Sequence, residues 1–140
     1  MRTVTAYISA ENPRYQILPL RADNARMYQL LHDLSKVVVY PNRQIRLGQF
    51  VDRETGYAEK SFRVAGIPLS EVIRLARIYG QESVVIEELG LLNVNTLTYH
   101  PILEKYTGEE AYQREAFILL EGMPAVSFKI DFKTTKRLEL

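Results

Sequence analysis

The sequence predicts an α/β (α+β) sandwich of the ferredoxin-like class, a βαββαβ core with a mostly antiparallel sheet, two helices on one face and added C-terminal strands. Three observations lead there. Residues 3–10, 60–65 and 126–132 alternate polar and apolar side chains with the two-residue period of half-buried strands. Residues 23–35 and 68–79 instead carry apolar stripes at helical spacing. The elements up to Glu88 come in the order strand, helix, strand, strand, helix, strand.

In the first strand Val4, Ala6, Ile8 and Ala10 face one way, and Thr3, Thr5, Tyr7 and Ser9 the other. It ends at Glu11-Asn12-Pro13, since proline lacks an N–H and biases the residue before it away from helix. A loop leads to Arg21, and Asp23 is the expected N-cap of the first helix. Met27, Leu30, Leu31 and Leu34 form its buried stripe, with His32 beside them as a boundary residue. Val37-Val38-Val39-Tyr40 reads as a short β-branched strand broken by Pro41. Residues 44–51 and 60–65 make a hairpin around Asp52-Arg53-Glu54-Thr55-Gly56, with Gly48 marking a bulge or a close approach.

Pro68 suits the first turn of the second helix, and Leu69, Val72, Ile73, Ala76 and Tyr79 its buried side. Gly80 is placed to end it in the left-handed conformation. Strands follow at residues 83–86 and 91–98. Residues 107–115 read as a short exposed helix or loop, and residues 116–120 as a covered strand or helix end. The last strand points Val126, Phe128, Ile130 and Phe132 inward and extends the sheet.

A chain of 140 residues fits one domain, residues 1–140, and can bury a core without staples. A net charge of +1 gives no general nucleic-acid signal. The absence of cysteine excludes disulfides and thiolate chemistry, and His32 and His100 lack metal-ligand spacing. No cofactor is expected. No apolar run approaches the roughly 18 residues of a membrane span, and no signal-peptide layout opens the chain, so a cytoplasmic address is expected.

Ile8-Ser9-Ala10-Glu11-Asn12-Pro13, residues 23–34 (DNARMYQLLHDL), residues 59–66 (EKSFRVAG) and residues 79–85 (YGQESVV) together resemble the bacterial and phage family known as domain of unknown function 3293. The resemblance spans about residues 3–97, leaving a C-terminal extension of about residues 98–140. Position 11, often aromatic in such sequences, is Glu11 here. The resemblance implies no activity.

Chain direction in a βαββαβ core brings Ser9, Glu11, Asn12, Asn24, Glu59, Ser61 and Gln81 to one end of the sheet. Four of them have a structural alternative. Asn12 caps a turn, Asn24 serves the first helix, Gln81 satisfies backbone after Gly80, or Glu59 pairs with Arg26 or Arg53. Two functional readings follow. One is a small binding protein, phage-borne or accessory, that captures a small polar ligand or a protein partner through Ser9, Asn12, Asn24, Glu59, Ser61 and Gln81. Nine tyrosines leave material for such an interface. The other is a small hydrolase-like enzyme with Glu59 as general acid or base, or with Glu11, Glu59 and Glu82 around a magnesium ion.

Overall fold

The structure, a computed structural model, describes residues 2–13 and 17–139, so part of the expected loop to Arg21 lies outside the described residues. The elements are β1 (Thr3–Ile8), α1 (Leu20–Val37), α2 (Pro41–Gln44), β2 (Ile45–Asp52), β3 (Ala58–Pro68), α3 (Leu69–Ile78), β4 (Ser83–Ile86), β5 (Gly90–Asn93), β6 (Thr98–Thr107), α4 (Glu109–Tyr112), β7 (Ala116–Leu120), β8 (Met123–Ile130) and β9 (Lys136–Arg137).

The strands lie in the order β5-β4-β1-β3-β2-β7-β8-β6, and β6 returns to pair with β5, closing an antiparallel barrel of eight strands. The short β9 adds to β6 outside this circuit. The expected open ferredoxin-like sandwich is therefore overturned. The sheet does not stop at β2 and β4 but curls through the C-terminal strands until its edges meet, which removes the free edges of an open sheet. The strand expected at residues 126–132 is β8, part of the closed wall and not an extension of a flat sheet.

The physical reason is visible in β1. Val4, Ala6 and Ile8 pack outward against the helices, as alternation requires. Tyr7, on the face expected to be wet, is only 6% exposed, because it points into the barrel against Ile118, Leu120 and Val126. Both faces of this wall are buried.

The two long helices lie on the same outer face. Met27, Leu30 and Leu34 of α1 and Leu69, Val72, Ile73 and Ala76 of α3 join Val4, Ala6, Ile8, Phe62 and Val64 in one core. Helix α1 starts earlier than expected, at Leu20, behind Pro19, whose carbonyl accepts from the N–H groups of Ala22 and Asp23. Asp23 is thus inside the first turn and not its cap. The helix also runs through Val37, so the expected strand at residues 37–40 does not form. Val38 leaves the helix in an extended conformation as its C-cap and docks in the same core, so the chain turns off there without forming a strand.

Helix α3 ends as expected: Gly80 has φ 70°, its N–H donates to Arg77 O, and the N–H of Gln81 donates to Ala76 O. Gly48 is a close approach. A Cβ there would lie 2.5 Å from Leu119 O across the β2–β7 seam. Strand β6 was not expected, and Phe132 is 66% exposed where an inward position was anticipated. Among the described residues no helix is long and apolar enough to cross a membrane.

Candidate functional site

Chain direction is the same in the closed wall as in the expected sheet, so β1 ends, and β3 and β4 begin, at one mouth of the barrel. A cleft of about 230 Å³ opens there, lined by Asn12, Tyr57, Glu59 and Gln81 with Glu82, Ser83, Gly80 and Phe50.

Each side chain has a local cause for its place. Asn12 sits at φ 46°, a left-handed turn that asparagine tolerates and β-branched residues do not, so the chain swings off β1 before Pro13. Its backbone N–H donates to Asp23 Oδ1 at 3.1 Å, tying the turn to α1. Its Nδ2 donates to the Tyr57 hydroxyl at 2.7 Å, and that hydroxyl donates to Glu59 Oε2 at 2.6 Å. Tyr57 and Glu59 stand two residues apart at the start of β3 and therefore share a side. The helix stop at Gly80 presents Gln81, whose Nε2 donates to Glu11 O at 2.9 Å.

Burial raises the Glu59 carboxyl above its ordinary range; the Tyr57 hydrogen bond draws it down, while the charges of Glu11 and Asp23 push it up. Burial and the Glu59 carboxylate push Tyr57 up to about 12. Neither suggested cation reaches Glu59. Arg26 donates to the carbonyls of Ala10 and Tyr79, and Arg53 to that of Tyr112. Among the described residues Glu59 makes no ion pair.

The cleft gathers Asn12, Glu59 and Gln81 from the expected set. Ser9, Asn24 and Ser61 do not line it. Ser9 is buried and donates to Lys60 O at 2.6 Å, clamping β1 to β3. Asn24 accepts from Lys60 Nζ at 2.7 Å on the helix side of β3. Ser61 is buried in β3 opposite Gly48. The Glu11 carboxylate is turned to the backbone N–H of Lys60. Phe50, Tyr57 and Ser83 in the lining were missed, and Glu82, suggested only as a magnesium ligand, lines it as well. The strand period pointed to Tyr57, two places before Glu59, and the hairpin register sets Phe50 opposite Glu59. Among the described residues no group of three histidine, aspartate or glutamate side chains is placed to hold a metal ion, so the suggested magnesium set of Glu11, Glu59 and Glu82 does not assemble.

No curated protein and no solved structure matches the chain. A family model does match, over residues 8–84, which is more than half of the sequence and includes every residue that lines the cleft. The chain belongs to the protein family of unknown function DUF3293.

Proposed function

We propose that the protein binds a small polar ligand at the barrel mouth, and that the ligand brings a positively charged or hydrogen-bond-donating group to Glu59. The observation that carries this reading is a part-buried carboxylate in a cleft where, among the described residues, Tyr57 is its one side-chain donor and no cation pairs with it. A part-buried carboxylate without a counter-charge is costly, and a ligand that supplies one offsets part of that cost. Glu82 adds a second carboxylate to the lining, and among the described residues no lysine or arginine lines it. The cleft's size suits a small molecule better than a protein segment.

Thermal-shift measurements with a panel of small primary amines test this. Stabilisation of the wild type that disappears in Glu59→Gln is expected. Equal shifts in both proteins, or none in either, would remove the reading.

A second reading draws on the raised Glu59 carboxyl, since a carboxyl held above its ordinary range is a candidate for general acid–base work. In that case the bound molecule leaves chemically changed. Mass spectrometry of the ligand before and after incubation separates the two.

A further inference from the structure

Phe50 also lines a second space of about 610 Å³, a half-open chamber that reaches from the barrel interior to Arg114, Glu115 and the exposed Phe132. That volume lies within the roughly 300–1,000 Å³ range of small-molecule pockets.

Arg114, Glu115 and Lys129 are part of the chamber's lining, but most of it is apolar, for a reason found in the register. Phe50 stands opposite Ile118, Ile118 opposite Val126, and Val85 opposite Leu91, so β2, β7, β8, β4 and β5 each turn an apolar side chain into the chamber. Tyr7 and Phe128 meet edge-on across the interior with ring centroids 5.6 Å apart. Beyond them Tyr7 donates to Glu87 Oε1 at 2.5 Å, and Arg63 and Lys105 approach the same oxygen at 3.8 Å and 3.3 Å. This charged layer is internally satisfied and lies beyond the end of β4 opposite Ser83.

The near side is open. Strand β7 follows β2 from Ala116 onward but meets β8 only at Ile118–Val126 and Leu120–Met123. The wall is therefore parted beside residues 128–130, at the end of the barrel that also holds the cleft. Ser83 in the cleft and Val85 in the chamber are two residues apart on β4, so cleft and chamber share one side of that strand.

We infer that the ligand is amphipathic: a primary amine whose head meets Glu59 and whose alkyl or aryl body passes Phe50 into the chamber. The identity of the head rests on the reading of the cleft given above. The body rests on the chamber alone.

Isothermal titration calorimetry of the full chain with n-alkylamines from ethylamine to octylamine, and with the matching n-alcohols, tests both. Affinity for the amines is expected to rise about fourfold per buried methylene until the chamber is filled. Glu59→Gln is expected to weaken every amine tenfold or more and the alcohols far less. Octylamine is also expected to displace N-phenyl-1-naphthylamine, an apolar fluorescent probe, from the wild type, so the result does not depend on a core variant that folds poorly. Amine affinity that is flat from ethylamine to octylamine yet lost in Glu59→Gln overturns the chamber inference and keeps the cleft. Affinity that rises with length equally for amines and alcohols, indifferent to Glu59→Gln, overturns the cleft reading and the amphipathic ligand with it. No binding by any member overturns both.

Discussion

The Tyr57 hydroxyl donates to Glu59 at 2.6 Å while accepting from Asn12 at 2.7 Å, so one phenol joins the end of β1 to the start of β3. That hydrogen bond opposes the effect of burial on the Glu59 carboxyl. Tyr57→Phe removes it, and the Glu59 titration midpoint, followed by carboxyl carbon NMR, is expected to move further up. An unchanged or lower midpoint would show that the phenol does not stabilise the carboxylate.

The sign of the pH effect on stability follows. The Glu59 carboxyl is raised in the folded state, so the native protein holds its proton more tightly than the unfolded chain does. The stability gained is full below the ordinary glutamate value of about 4.3 and is lost as pH rises through the raised folded value. Glu59→Gln keeps the volume and removes the charge. Its melting temperature is expected to exceed that of the wild type at pH 7, with the difference vanishing below about pH 4. A variant that melts lower at pH 7 would make Glu59 a structural anchor.

Leu30 is fully buried, whereas Leu31, read from the sequence as equally central, is only partly buried at the edge of the same core. Leu30→Ala and Ile73→Ala are each expected to cost about 2–5 kcal/mol in denaturant unfolding, and Leu31→Ala clearly less. Equal losses at positions 30 and 31 would mean that α1 is rotated from the orientation described.

Gly48→Ala is expected to destabilise by about 1–3 kcal/mol, because the added methyl would lie 2.5 Å from Leu119 O and 2.7 Å from Leu120 Cδ2. Hydrogen exchange should localise the damage to the β2–β7 seam, with amides of β1 still protected.

Glu87→Ala strands the part-buried Tyr7 hydroxyl inside the barrel, at an expected cost of about 1–3 kcal/mol. Burial, then the hydrogen bond and charge of Glu87, hold Tyr7 above its ordinary titration range. The variant should therefore titrate lower by tyrosine absorbance, while burial keeps it above an exposed phenol.

Local chemistry was legible in the chain and closure was not. Gly80, the stripes of Met27, Leu30 and Leu34 and of Leu69, Val72 and Ile73, and the alternation of β1 all declare themselves within a few residues. The pairing of Phe50 with Ile118 links strands far apart in sequence, and nothing local to either marks it. Strand β6 hides for another reason. Pro101 interrupts it and the pattern around His100 and Glu104 is mixed, because the strand leaves β5 at Pro101 and continues along β8 from Ile102. At the mouth, Asn12, Glu59 and Gln81 were found because strand direction alone decides which end they occupy. Ser9 and Ser61 carry the same polarity but are spent on the wall, and sequence cannot tell a serine facing a cleft from one facing a neighbouring strand.

Closure also orders events at the ribosome. Synthesis delivers β1 through β4 and both long helices first, and only later β7, β8 and β6. Until those arrive, Tyr7, Phe50 and Val85 face water, and β2 lacks the partner β7 that will cover its outer edge. The nascent half-wall is thus a sticky intermediate with an unpaired strand, the arrangement most prone to pairing with another unfinished copy. The segment from β6 onward acts as the wall's own chaperone, withdrawing that edge by completing the ring.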